Sequence, residues 1–301
     1  MTTMIGEPIV SVVIPTFNHA KLLKRALDSV VAQSFENWEA IVVNNFSTDE
    51  TIEVVQSFID DRIKLINFSN KGIIAASRNR GIQSVRGQYV AFLDSDDNWY
   101  PEKLQKCLQQ TNNGAQFVCH GELWINSDLS TRAVMYGPAS RANYLSLLYR
   151  GNCISTSATF IETKLLQTVN GFDESAEIVT AEDYDLWMRL VATNPKTVFI
   201  PEILGEFHRL ANSASSAVLR NLSSEKVVLQ RHFALQPKSF SSKLKQRHRL
   251  AIAEYGAARQ LTSKPKQALS LFGNSVRLSP FVLKVYPALF LLMVKTLTRR
   301  S

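Results

Sequence analysis

From Ile9 to about His120 the apolar residues follow two alternating rhythms. Ile9-Val10-Ser11-Val12-Val13-Ile14 is a β-type run that Pro15 should end. The loop Thr16-Phe17-Asn18-His19 then leads into a stretch where Leu22, Leu23, Ala26, Leu27, Val30 and Val31 recur at three and four, the spacing of one helix face. Ala40 to Val43 predicts a second strand. Ser47 and Glu50 have capping-box spacing, which would start a helix through Val54, Val55 and Phe58. Ile63 to Ile66 predicts a third strand, Asn70-Lys71-Gly72 a turn, and the next segment a helix carrying Arg78, Asn79 and Arg80 that Gly87 breaks. A fourth run leads from Gln88 to Asp94. Such alternation predicts an α/β fold with a mainly parallel sheet flanked by helices.

Past His120 the alternation is less regular. Asn170-Gly171-Phe172-Asp173-Glu174 predicts a turn, and Thr180 to Leu190 a helix with an acidic first turn. From about Asn221 the chain reads as helices only, giving an expected division into 1–215 and a helical region 216–301. The net charge of +8 is spread unevenly: residues 220–301 carry 16 Lys and Arg against Glu225 and Glu254, a balance of +14, whereas residues 1–219 balance at −6. The basic pI therefore reflects one segment and does not point to nucleic acid. Cys107, Cys119 and Cys153 are spaced for neither a disulfide framework nor a zinc cluster, and read as core residues in a reducing compartment. No signal-peptide pattern opens the chain, so a cytoplasmic location is expected.

Candidate chemistry is concentrated at strand ends. The loops after Ile14, Val43 and Leu93 should converge on one crevice, because ligands bind at the carboxyl ends of strands in open α/β sheets. In the third loop, Asp94, Asp96 and Asp97 fall within four positions. Two carboxylates spaced by one residue on extended chain share a side and repel each other unless a cation lies between them. Oxygen-only ligands select magnesium or manganese, which keep open positions for substrate phosphates. The other reading is a solvated acidic turn before the helix near Pro101. Neither a dinucleotide fingerprint nor a P-loop occurs.

Six segments in order, Ser11 to Asn18, Val43 to Asp49, Ala76 to Gly81, Phe92 to Asp97, Gly171 to Glu174 and Glu182 to Trp187, resemble the inverting nucleotide-sugar glycosyltransferases of family 2, over roughly residues 8–215. The resemblance implies a GT-A, Rossmann-like fold and transfer of a sugar from a nucleotide-diphosphate donor. It implies that Pro15, Thr16 and Phe17 line the nucleotide pocket, that Asn44 and Asn45 meet the base, and that Arg78 and Asn79 hold the nucleotide or diphosphate. Asp94 and Ser95 would lie at the nucleotide sugar, and Asp96 with Asp94 on the metal. Asp183 matches the catalytic base, which takes the proton of the attacking hydroxyl. Glu182 and Asp185 would support it, while Trp187 is either core or a sugar-stacking platform. Arg78 alternatively lies on an exposed helix surface. His208 could be a third metal ligand or structural.

Three departures from the family pattern matter. Asn44-Asn45-Phe46-Ser47 replaces Asp-Asp-Gly-Ser, so amides stand where an acid would meet the base, and Phe46 for Gly suggests a loop without positive φ there. No Gln-x-x-Arg-Trp follows the base region, which implies one transfer per encounter. In Phe207-His208-Arg209-Leu210-Ala211 the histidine precedes the arginine. The expected partners are a nucleotide-sugar donor, a glycan or lipid-linked sugar acceptor and no nucleic acid. Phe281 to Val294, with the basic residues Lys295, Arg299 and Arg300, reads either as a helical cap or as a segment docking on anionic membrane. The competing functions are a sugar-phosphate nucleotidyltransferase, disfavoured by the lack of a glycine-rich basic loop after the first strand, and a nucleotide-sugar-binding protein without catalysis.

Overall fold

The computed structural model describes residues 7–209, 217–261 and 263–298, with side chains described to residue 294. Of the residues discussed above, Leu210, Ala211, Arg299 and Arg300 lie outside these, as does the Lys295 side chain. Strands β1 (Val10–Thr16), β2 (Trp38–Asn44), β3 (Ile63–Asn67), β4 (Tyr89–Phe92), β5 (Asn98–Trp99), β6 (Phe117–Asn126), β7 (Thr131–Val134), β8 (Thr159–Glu162) and β9 (Thr197–Arg209) form one sheet. Its order is β3-β2-β1-β4-β8-β6-β9-β5, with β7 on β6.

The first four strands are parallel, β8 is antiparallel to β4 and β6, and β9 runs parallel to β6. The chain winds outward from β1 through β2 to β3 and returns on the other side of β1 as β4. That reversal opens the crevice between the carboxyl ends of β1 and β4, where ligands bind in open α/β sheets. β1 and β2 are buried throughout, as strands covered on both faces should be. β1 runs through Pro15 to Thr16 instead of ending at the proline. The Thr16 carbonyl accepts from Asn45 N on the β2 side, so Pro15 faces the other way, where the β4 pairing stops at Phe92 and no ladder donor is missed.

In chain order helices α1 (Ala20–Val31), α2 (Thr51–Gln56), α3 (Ile74–Ile82), α4 (Lys103–Thr111), α6 (Thr163–Thr168) and α7 (Glu182–Ala192) alternate with the strands, whereas α5 (Tyr144–Arg150) belongs, apart from its first residue, to the second compact unit given below. α1 buries Leu23, Ala26, Leu27 and Val30 in the core with Val12, Ile14, Val42 and Leu93. Truncating Leu27 to alanine there would cost about 2–5 kcal/mol. α3 approaches the sheet on small residues, Ala75, Ala76, Ser77 and Gly81. A Cβ on Gly81 would come within 2.4 Å of Val13 Cγ1, so only glycine permits this approach. α3 ends at Ile82, before Gly87, whose own Cβ would meet Ser11 N at 2.6 Å.

The capping box is not formed. Glu50 precedes α2 without a side-chain cap, and Asp49 instead accepts from Thr51 N and from Ala20 N at the start of α1. Asp49 is held below the usual carboxylate range, its hydrogen bonds outweighing the opposing effect of burial. Ser47 is drawn away to Asn44 and Asn18.

Contacts divide the chain into two compact units, Met1–Tyr144 with Cys153–Ala211 and Leu145–Asn152 with Asn212–Ser301. The second contains α8 (Val218–Ala234), α9 (Phe240–Gln260), α10 (Pro265–Leu278) and α11 (Val285–Thr298). Ala251, Ala258, Phe272 and Val285 share its core. Arg249 pairs with Glu225 and Lys226 with Glu254, so both acids of this region neutralise buried or half-buried partners. All three cysteines are free and buried.

Candidate active site

Where β4 ends, the turn Asp94 to Asp97 folds back through a bond from Asp97 N to the Asp94 carbonyl. Ser157, just before β8, accepts from Asp94 N at 3.1 Å and donates to Asp97 Oδ2 at 2.6 Å. Asp97 Oδ1 accepts from His208 N at the end of β9, which ties the turn to a second strand. Burial and then Asp96 push the Asp97 carboxyl well above its ordinary range, and its two hydrogen bonds make it a brace for the turn. His19 Nδ1, after β1, lies 3.0 Å from Ser95 Oγ and closes the β1–β4 crevice on the other side.

Asp96 is left differently. Its carboxylate accepts only from its own backbone and has no partner side chain among the described residues, while burial and then Asp94 raise it to about 6, opposed by His19 and Arg78. Two adjacent carboxylates, one under-bonded and disfavoured as an anion, are chemistry that a hard divalent cation relieves. The donor set therefore fits magnesium or manganese on Asp94 and Asp96. Among the described residues no three His, Cys, Asp or Glu side chains converge as a metal site.

Arg78 joins this turn to α7. Its Nη2 donates to Asp94 Oδ1 at 2.8 Å and its Nη1 to Glu182 Oε1 at 2.7 Å, and it is buried. Its two carboxylate partners overcome the desolvation that opposes charge and hold the guanidinium firmly protonated. Glu182 Oε2 accepts from Thr180 N at 2.7 Å, holding the turn in which Thr180 has φ +85°, a strained value for a β-branched residue. Asp183, next in α7, accepts from Tyr184 N at 2.7 Å and from Thr156 Oγ1 at 3.4 Å. Burial and then Glu182 raise it to about 7, opposed by Arg78. A carboxylate near 7 is matched to taking a proton at neutral pH.

Residues 11–167, more than half of the chain, match the family model described as Glycosyl transferase family 2. The chain belongs to that family. The glycosyltransferase is 30% identical over 210 residues, 69% of this chain and 80% of the relative, to the UDP-Glc:α-D-GlcNAc-diphosphoundecaprenol β-1,3-glucosyltransferase WfgD of Escherichia coli. Its fold is similar to that of S. aureus TarS in complex with UDP-GlcNAc, with TM-score 0.63 at 19% identity over 89% of this chain and 81% of that one. It is also similar to the mannosyltransferase PcManGT of Pyrobaculum calidifontis in complex with GDP-Man and Mn2+, with TM-score 0.58 at 17% identity over 98% of this chain and 81% of that one. The fold is GT-A, as the sequence implies.

Several residues of the glycosyltransferase have other work than the sequence suggests. Asn44 is fully buried, its Nδ2 donating to Asn67 Oδ1 and its Oδ1 accepting from Ser47 N and Oγ, so its amide braces the loop after β2. Asn45 Oδ1 accepts from Asn70 N, leaving its NH2 group as the amide donor of this loop. Phe46 does adopt positive φ, +53°, because its ring is exposed and the Asn44–Ser47 bonds fix the turn beneath it. Asn79 is a clamp on the turn at Gly171, donating to the Phe172 carbonyl and Glu174 and accepting from Phe172 N. Its amide has no capacity left for a diphosphate. A Cβ on Gly171, at φ +63°, would meet Asn79 Oδ1 at 2.6 Å, which explains the glycine.

Asp185 pairs with Arg189 Nε at 2.7 Å, and Arg189 in turn donates to the Val169 and Gly171 carbonyls, so this pair frames the same turn. Trp187 is fully buried against Phe117 and Phe172, a core residue and not a platform. His208 Nε2 faces Glu206 Oε2 at 3.1 Å and Arg25 Nη2 at 3.0 Å, while its backbone N reaches Asp97 in the carboxylate turn. Arg78 is buried, so its exposed-helix alternative falls. Pro15 and Thr16 are buried at the end of β1, with Thr16 Oγ1 unpartnered, and Phe17 is exposed beyond them. Sequence reasoning missed Thr156 and Ser157. Their only trace is the polar run Ser155-Thr156-Ser157 immediately before an apolar strand.

Proposed function

We propose that this glycosyltransferase moves one sugar per encounter from a nucleoside-diphosphate sugar to an acceptor hydroxyl, inverting the anomeric carbon, during assembly of a surface polysaccharide or glycolipid. The observation that carries the reading is the Arg78 bridge. One buried guanidinium joins Asp94, in the carboxylate turn, to Glu182, beside Asp183, so donor-side acids and base belong to one electrostatic cluster.

Asp183 takes the proton of the acceptor hydroxyl as its oxygen bonds to the anomeric carbon and the nucleoside diphosphate departs with the electrons of the broken bond. Thr156 and Tyr184 N orient that carboxylate, and Arg78 holds Glu182 in place beside it. Ser157 and Asp97 fix the turn presenting Asp94, Ser95 and Asp96. Phe17 supplies an exposed ring and Asn45 an amide donor at the strand ends where the nucleotide would bind. Asp96 and Asp94 would hold magnesium or manganese, which when bound supplies Lewis acidity toward the leaving diphosphate; the Mn2+ in the PcManGT complex supports this. WfgD is named for an acceptor sugar on a diphosphate lipid, which supports a lipid-linked or glycan acceptor at the cytoplasmic face of a membrane.

The test is a thermal-shift screen of the protein against UDP-, GDP-, TDP- and CMP-sugars with and without Mn2+, followed by NMR of the transferred sugar. A donor whose stabilisation depends on Mn2+ and whose product has inverted configuration is expected. Retention of configuration would remove Asp183 from its role, and equal stabilisation without cation would remove the metal.

A further inference from the structure

Helix α11 is apolar on two opposite sides. Val285, Ala288 and Leu292 face the core of the second unit, with Ala258, Leu271 and Phe272. On the other side Tyr286, Phe290 and Val294, spaced by four, are exposed together with Leu291 and Met293. The turn before it adds Phe281 and Leu283, at 78% and 72% exposure. A helix apolar all round normally has both sides covered. Here one side is covered by the protein's own core, and the remainder is a contiguous run of large apolar side chains of the kind that marks an interaction surface.

The charge around this run selects its partner. Between Gly256 and Ser301 there are eight Lys and Arg and no Asp or Glu. Lys284 is exposed between Leu283 and Val285. On α9, Arg247 donates to the carbonyls of Arg277 and Leu278, which fixes a guanidinium beside the turn that bears Phe281 and Leu283. Lys243 and Lys245 are exposed on the same helix. Among the described residues no helix is long and apolar enough to cross a membrane, so the apolar run is suited to lying in an interface and not to spanning it.

We propose that the face formed by Phe281, Leu283, Phe290, Leu291 and Val294, flanked by Arg247 and Lys284, docks on a bilayer rich in anionic lipid. The apolar side chains enter the headgroup boundary while the cations meet lipid phosphates. No residue of this face takes part in the Asp94–Asp183 site, so docking stands or fails independently of the transfer chemistry.

The experiment is co-flotation of the full chain with vesicles of pure phosphatidylcholine or of phosphatidylcholine with phosphatidylglycerol, at low and physiological salt. Binding is expected to require phosphatidylglycerol and to weaken with salt. Lys284→Gln should reduce partition roughly five-fold, as expected for one cation near an anionic surface. Phe281→Ser with Phe290→Ser, which alters exposed positions and leaves net charge unchanged, should reduce it by roughly ten-fold or more, with an unchanged melting temperature showing that the fold survives. Wild-type protein remaining unbound to anionic vesicles at low salt would overturn the proposal, as would full binding by the double serine variant. A concentration-dependent dimer in gel filtration that the double serine variant abolishes, with no vesicle binding, would assign the face to a second copy of this chain instead.

Discussion

Arg78 and Glu182, 104 residues apart in sequence, meet through a 2.7 Å ion pair with both side chains buried. α3 and α7 are thereby held together at the place where the carboxylate turn and the catalytic carboxylate candidate adjoin. A buried pair of this kind can be neutral for stability as a unit, but removing one partner strands the other.

Arg78→Met should therefore destabilise the protein by about 3–5 kcal/mol in chemical denaturation, since Glu182 and Asp94 lose their cation together. Adding Glu182→Gln should recover part of that loss. Additive single effects would mean that the two side chains are not coupled in solution.

Asp183→Asn should leave donor binding nearly intact and cut transfer by roughly a hundredfold or more, the usual contribution of a general base. In the wild type the transfer rate should fall as the pH drops below about 7, because Asp183 acts only when ionised and burial holds its pKa there. A rate independent of pH between 5 and 8, or an Asn variant within a few-fold of wild type, would put the base elsewhere.

Asp96→Ala should abolish the cation-dependent part of donor affinity in calorimetry while sparing the cation-independent part. The motive is a carboxylate with no partner side chain, raised to about 6 by burial and Asp94. Equal enhancement by Mn2+ in wild type and variant would separate Asp96 from the cation.

Glu122, buried on β6 and bonded to the Tyr136 hydroxyl, is raised to about 7 chiefly by burial. Its native pKa lies above its unfolded value, so its stabilising share is complete below about 4.5 and is lost as the pH rises through about 7. Glu122→Gln, which can still accept from Tyr136, should therefore stabilise the protein at pH 8 and give no gain near pH 4. A constant difference across that range in denaturant titrations would show that proton release is not the cause.

The parallel half of the sheet was legible because Val- and Ile-rich runs buried on both faces alternate with amphipathic helices, and the Asp94 to Asp97 cluster stood out against such a run. Asp183 stood out as a candidate only through the ordered set of family segments, since an acid in a first helical turn is commonly a dipole complement. Less legible were residues whose role depends on partners distant in sequence. Nothing local distinguishes Asn79, spent on a turn 93 residues away, from an amide that meets a ligand. Trp187 is likewise decided by Phe117 and Phe172. Phe46 shows the reverse case: a propensity against positive φ yields when the side chain is exposed and neighbouring hydrogen bonds hold the turn, at a cost of about 1–2 kcal/mol.

The concealed cysteines make the wild-type chain its own background for site-directed labelling. Burial raises the Cys107 thiol to about 11, the Cys119 thiol well above its ordinary value and the Cys153 thiol above its own, so none of the three readily presents a thiolate to a maleimide at neutral pH. An Ile59→Cys variant, at a fully exposed position, should therefore take up one dye per chain while the native protein takes up almost none. Fluorescence or spin probes could then follow donor binding without first removing a native residue.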